Sequence, residues 1–481
     1  MERNVVVHSN VHLTDGSSKF ICICSSSFVV KIKINKKNTM NFTVHNSDET
    51  CSAVVHAPRD LLDGETVKAV RASLCLPCAH VRIMPDAHAA HGCVVGFTAH
   101  LPPCWWNEGL VPSVLGPDIG CGIAAHPLTP GTVTKLQKRR RLETCEAAIA
   151  AAVPCGAALH VPPAAAAPES DESLAAFLAP AFDDANAVLP VLLLPLPPEL
   201  REPHTRFTLE RLQDLCTRVG ASLRNDVICA LGTLGSGNHF IEVGMLQQET
   251  ETRETRETRE TRDRSDGTEL PPGFAFAHSG SRRLGLAVFH HHAAIAERSA
   301  DHVLRGADAV SYAVDVVLLT ALAKINRALI LRAALAVLPD AEFALSRIID
   351  CAHNTMDWQG QAGKANIVRK GAAPARAGEL VLVALNSRDG VLLCAGTGAD
   401  EWNASTAHGC GRAIPRAHAA RKIQLRAYEQ AMVGVVSSSV RAETLDEAPQ
   451  AYKSAEDVRR ALDGSIVVLG RYAAALNIKG W

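Results

Sequence analysis

The sequence carries almost no net charge, with 49 lysines and arginines against 50 aspartates and glutamates in 481 residues. No overall basic field gathers a polyanion, so any nucleic-acid groove must be basic only locally. A disulfide framework is also missing. The 15 cysteines are odd in number and scattered, with no secretory signal ahead of them, and this reads as a reducing compartment. Long uninterrupted apolar runs are lacking too. Phe20 to Val30 is broken by serines and falls short of the ~20 residues that a membrane helix needs. Val310 to Val337 carries Asp315, Lys324, Arg327 and Arg332, so a buried helix is expected there and no membrane span anywhere.

Familiar nucleotide motifs are absent as well. Gly232, Gly235 and Gly237 do not follow the Gly-x-Gly-x-x-Gly order of a dinucleotide fold, and no Walker lysine follows a glycine-rich loop. The Lys-x-Asp-Gly nucleophile of ATP-dependent ligases does not occur either. If a nucleotide is activated here, another residue must take it.

What is present divides unevenly along the chain. Residues 1–50 are polar and β-leaning, and are expected to form a poorly ordered appendage, with Met40 as an alternative start. Residues 51–481 are expected to form one catalytic unit with surface insertions near 147–203 and 249–270. The first insertion is Ala/Pro-rich between Ala147 and Asp171, and Leu189 to Pro203 adds five prolines, which should break any long helix. The second contains four Glu-Thr-Arg repeats from Glu251 to Arg262, too polar to bury a core. Apolar runs at Val94–Ala99, Phe274–Ala277, Leu380–Leu385 and Ile466–Leu469 predict strands. Helical spacing covers Leu209–Arg224, Val310–Leu338 and Ala455–Leu462. No regular strand-helix alternation appears, so the fold class is α+β.

Chemistry concentrates in short motifs, most of them rich in glycine. They are Met84-Pro-Asp-Ala-His88, Gly116-Pro-Asp-Ile-Gly-Cys-Gly122, Gly232-Thr-Leu-Gly-Ser-Gly-Asn-His-Phe-Ile-Glu242, His278-Ser-Gly-Ser-Arg282, Cys351-Ala-His-Asn354, Arg369-Lys-Gly371 and His408-Gly-Cys-Gly-Arg412. Glycine lets backbone approach a ligand closely. Asp118, Cys121, His239, His278 and His353 supply a cysteine, an aspartate and histidines, a set that suits a borderline divalent ion without separating manganese from zinc. His408, on a glycine-flanked turn near Lys370, Arg369, Arg412 and Arg416, suits attack on a phosphate whose charge the cations hold. Histidines outside such motifs, including His126, His204 and His290 to His292, read as structural or surface residues.

In this order the motifs resemble the RtcB family of RNA-splicing ligases from about Met84 to Gly480, joined by Asp446-Glu-Ala-Pro-Gln-Ala-Tyr-Lys453 and the terminal Lys479-Gly480. The resemblance implies an α+β fold with a central dinuclear manganese site. Cys121 would bridge two ions, with Asp118 and His239 on one and His278 and His353 on the other. His408 would be the nucleophile that takes GMP from GTP. Asn238 and Glu242 would position phosphate and metal-linked groups. Tyr452, Lys479 and Phe240 would line the guanine pocket, with His353 and Asn354 beside the nucleotide. Lys370, Arg412 and Arg416 would hold phosphates, and Asp86 and His88 belong to a further active-centre motif.

The implied activity joins RNA 3′-phosphate or 2′,3′-cyclic phosphate ends to 5′-hydroxyl ends, in tRNA splicing or RNA repair. Implied partners are RNA, an archease-like activator and tRNA-ligase complex subunits, in the cytoplasm or nucleus. The rival readings are a non-ligating RNA-binding subunit and a metal-dependent RNA-end phosphoesterase. Cys410 and Pro415 stand where the family usually has alanine and serine, Leu393–Asp400 departs from the common pocket sequence, and Trp481 extends past the usual terminal glycine.

Overall fold

A computed structural model describes residues 41–46, 49–74, 76–159, 170–247, 269–359 and 364–480, and the backbone of Lys19–Cys24 and Val29–Ile34. The Glu-Thr-Arg repeat, the middle of the Ala/Pro-rich segment, most of residues 1–40 and Trp481 lie outside the described residues.

Two sheets dominate. The larger is antiparallel and runs, edge to edge, Ile349–Ala352, Gly122–Pro127, Gly273–Ser279, Phe240–Leu246, Ile466–Lys479, Gly390–Gly396 and Leu380–Asn386. The second runs Asn354–Asp357, Ile367–Lys370, Val95–His100, Ala79–His88, Ser52–Val55 and Phe42–His45, with one parallel pair at Ser52–Val55 beside Ala79–His88. All four strands expected from apolar runs are found, and the last extends to Lys479 through polar residues that the apolar run did not include. The mixture of sheets and helices is α+β.

The run Val310–Val337 forms most of the helix Gly306–Ala336, which Val337 caps and whose 31 residues span about 46 Å at 1.5 Å each. It is apolar on nearly every side and packs against Gly122–Pro127, Gly273–Ser279 and the helix Asp171–Leu193, as a core helix must. Two of its charges are paired: Asp315 accepts from Arg218 and His292, and Lys324 reaches Asp184. The helix starting at Leu209 stops at Val219, because Gly220 takes a left-handed conformation with φ +69° and caps it.

Two expectations are corrected. Prolines do not break the segment after Asp171: Asp171–Leu193 is a 23-residue helix containing Pro180 and Pro190, and it buries Leu174, Leu178, Phe182 and Leu189. Both prolines lie on its exposed side, where water can satisfy the carbonyls their missing N–H groups leave free. This helix is therefore part of the core rather than a surface insertion. By length and composition it also reaches what a membrane span requires, although the apolar runs lead one to expect no span. Its apolar face is covered here by the long helix. The boundary of the N-terminal appendage moves as well, since Phe42–His45 is an edge strand and Val44 is buried.

Candidate active site

The metal-type residues sit at neighbouring strand ends of the larger sheet. Cys121 immediately precedes Gly122–Pro127, His239 precedes Phe240–Leu246, and His278 is next to last in Gly273–Ser279. His353 is the single residue between Ile349–Ala352 and Asn354–Asp357, where the chain crosses from one sheet to the other. Antiparallel register then converges them, with Ile123 opposite His278 and Phe240 opposite both His278 and Lys479. Glycine is required where the loops close in. A Cβ at Gly280 would collide with the Asp118 carboxylate, and one at Gly411 with the Asp86 carbonyl.

The result is two overlapping triads, Asp118–Cys121–His239 and Cys121–His278–His353, which share the cysteine. Cys121 Sγ lies 3.6 Å from His239 Nε2 and 3.3 Å from His278 Nε2. His239 Nε2 is 3.0 Å from Asp118 Oδ2, and His278 Nε2 is 3.2 Å from His353 Nε2. The Nδ1 atoms of His239 and His278 face the carbonyls of Leu234 and Asn238 at 2.9 and 3.2 Å. Those carbonyls can only accept, so a proton sits on each Nδ1 and Nε2 is the nitrogen turned to the cluster, the orientation a metal-binding histidine needs.

Electrostatics point the same way. Burial, with the neighbouring cationic forms of His239 and His408 adding to it, holds His278 and His353 well below the usual imidazole range. Two neutral imidazoles meeting nitrogen to nitrogen repel unless a cation or shared proton lies between them. Burial and the Asp118 charge push the Cys121 thiol up, so only a cation would make it a thiolate. The donor set fits a divalent metal.

His408 follows the short strand Ser405–Ala407 and faces the same cavity, its ring centroid 4.7 Å from that of His353. Its Nδ1 lies 2.7 Å from Oδ2 of fully buried Asp86, an ion-pair distance without hydrogen-bond alignment. The same oxygen accepts from the His408 and Gly409 amides at 3.2 Å. Burial would lower the imidazole, but the Asp86 carboxylate and the Gly371 carbonyl raise it above its ordinary value. His88 Nδ1 bonds the Asp86 carbonyl at 3.1 Å, and burial holds that ring down at about 4.

The cavity encloses about 260 Å³. Asn238, Phe240, Glu242, Lys370, Arg412, Arg416, Tyr452 and Lys479 all line it. Burial pushes the Glu242 carboxyl up to about 8, and its Oε2 accepts from Asn477 at 2.8 Å. Lys370 donates to the His91 and Ser113 carbonyls, and burial lowers it. Asn354 also borders the cavity, but its amide is used structurally, bonding the Asp118 carbonyl and the Gly371 amide. Arg369 is placed away from the cavity, fully buried against Asp357 and Ser405.

Three residues at this site were not singled out from sequence for it. Glu447 accepts from Tyr452 at 2.6 Å and Lys479 at 2.8 Å and pairs with Arg412 and Arg416. It lay inside the matched stretch Asp446–Lys453. Asn326 and Arg327 reach the ligand loops from the long helix. Their only signal was polarity inside an apolar run.

A family model described as tRNA-splicing ligase RtcB matches residues 69–480. The chain belongs to the RtcB family. RNA-splicing ligase RtcB2 of Escherichia coli is 30% identical over 265 residues, 52% of this chain and 65% of that protein. RtcB1 of Escherichia coli is 24% identical over 424 residues, 83% and 90% of the two chains. RtcB of Mycobacterium tuberculosis is 25% identical over 422 residues, 79% and 91%. The match to RtcB2 thus spans just under two thirds of that relative's length.

Two departures of this RtcB chain have clear places. Cys410 is buried in the apolar cluster with Met84 and Val383. Pro415 stands immediately before the helix Arg416–Lys422 with φ −56°, inside the range its ring allows and where a missing N–H costs nothing.

Proposed function

We propose that this protein is a GTP-dependent RNA ligase that joins a 3′-phosphate or 2′,3′-cyclic phosphate end to a 5′-hydroxyl end through a GMP-histidine intermediate on His408, in tRNA splicing or RNA repair. One observation carries the reading: His408, backed by buried Asp86, shares a cavity with Asp118, Cys121, His278 and His353, four of the five converging metal-type side chains, and His239 completes a triad with the first two. The names of the relatives, RNA-splicing ligases, support the same reaction class.

Asp118, Cys121 and His239 would hold one manganese ion and Cys121, His278 and His353 a second, with Cys121 bridging. Such ions would neutralise charge building on phosphate oxygens. With Nδ1 turned to the Asp86 carboxylate, Nε2 of His408 would attack the α-phosphorus of GTP, and pyrophosphate leaves as the N–P bond forms. Asp86 stabilises the imidazolium-like ring that results. GMP then passes to the RNA 3′-phosphate, breaking N–P and making a P–O–P linkage. The RNA 5′-hydroxyl attacks the 3′-phosphorus, losing its proton as GMP departs. A 2′,3′-cyclic end is first opened by water.

Arg412, Arg416 and Lys370 offer positive charge to phosphates. Phe240, Tyr452 and Lys479 form an aromatic and cationic wall, with Lys479 Nζ 5.0 Å from the Phe240 ring centre, for a guanine base. Archease-like activators, partner subunits and a cytoplasmic or nuclear location belong to the same proposal. Acid-labile labelling of the protein by α-labelled GTP tests it. A non-ligating subunit or a phosphoesterase would take up no label.

A further inference from the structure

Asn326 sits in the middle of the long helix, wholly buried, yet every polar atom of its amide is used. Its Oδ1 accepts from the Gly232 amide at 2.7 Å. Its Nδ2 donates to the Ser279 hydroxyl at 3.0 Å and to the Gly280 and Thr233 carbonyls at 3.1 and 3.3 Å. The Ser279 hydroxyl in turn donates to the Leu234 carbonyl at 2.8 Å. That carbonyl is the acceptor for His239 Nδ1. An unbroken relay therefore runs from Asn326 through Ser279 and Leu234 to the ring whose Nε2 faces Asp118 and Cys121.

The next residue completes the frame. Arg327 is fully buried, forms a two-bonded pair with Asp350 at 2.6 and 2.7 Å, and donates at 2.8 Å to the carbonyls of Gly120 and Ser279. Gly120 adjoins Cys121, Ser279 adjoins His278, and Asp350 lies on the strand leading to His353. Two adjacent side chains on one rigid helix thus tie together all four segments that carry the metal-type residues.

We propose that Asn326 is a positioning residue that sets the geometry and affinity of the metal centre by holding the His239 loop through Ser279. This rests on the metal-centre reading above. Charge and hydrogen-bond partners behind a ligating histidine tune its metal, and removing them typically costs about 10- to 100-fold in affinity.

The test uses the full-length chain titrated with cobalt(II), whose thiolate charge-transfer absorption reports the Cys121 bond, with circular dichroism and thermal melting as folding controls. Wild type should show the band and Cys121→Ala should not. Absence of the band in wild type would overturn the metal reading itself. Asn326→Ala, folded, should bind cobalt about 10- to 100-fold more weakly, with a shifted band. Should Asn326→Ala fail to fold, Ser279→Ala decides, because it removes only the hydroxyl that joins Asn326 to the Leu234 carbonyl and leaves Asn326 its bonds to Gly232, Thr233 and Gly280. A weaker, shifted titration in folded Ser279→Ala supports the relay. Wild-type affinity and spectrum in folded Asn326→Ala, or in Ser279→Ala where it decides, would overturn it.

Discussion

Asp86 and His408 are separated by more than 300 residues in sequence, yet the Asp86 carboxylate lies 2.7 Å from His408 Nδ1 and also accepts from the His408 amide. A carboxylate with no exposed surface is held there by the loops it binds. In the proposed reaction it would support positive charge on the imidazole ring after attack.

The first prediction follows from that relationship. Asp86→Asn should slow formation of the GMP adduct by about 100-fold or more, while metal content stays at the wild-type level because Asp86 is in neither triad. Rapid-quench labelling with α-labelled GTP measures the rate. An unchanged rate would remove Asp86 from the reaction.

Cys121 belongs to both triads, so its loss should not be compensated by either. Cys121→Ala is expected to lose all bound manganese, measured by elemental analysis after dialysis. Wild-type manganese content in that variant would exclude the thiolate as a bridging ligand.

Glu447 offers a pH test. Burial would raise this carboxyl, but Lys479 and Arg416 overcome it and hold the group down at about 2 against an ordinary 4.5. Because the folded value is depressed, the stabilisation is fully present above about pH 4.5 and is lost as pH falls toward 2. Glu447→Gln should therefore flatten the acid limb of stability in urea titrations. At neutral pH it should cost about 3–5 kcal/mol, because it leaves buried Lys479 unpaired. An acid limb as steep as that of wild type would contradict this placement of the charge.

The strands and the ligand-bearing loops were legible because their determinants are local. Apolar runs mark Gly273–Ser279 and Leu380–Asn386, and glycines mark the turns around Cys121 and His408. The supporting residues were not legible in the same way. Asn326 and Arg327 look like interruptions of an apolar helix, and only the packing of the sheets shows that their amide and guanidinium meet loop carbonyls. Glu447 was hidden for a similar reason, since its partners Lys479 and Arg412 come from other parts of the chain. Prolines misled in Asp171–Leu193 because their cost depends on which side of the helix faces water, and spacing alone did not decide that.

His408 is the residue we propose takes up GMP. Incubation of folded His408→Ala with α-labelled GTP and manganese, followed by denaturing separation, tests it most directly. The variant should carry no label, should still bind manganese through Asp118, Cys121, His239, His278 and His353, and should seal RNA whose 3′-phosphate already bears GMP. A labelled His408→Ala protein, with the adduct mapped to another residue, would contradict the account.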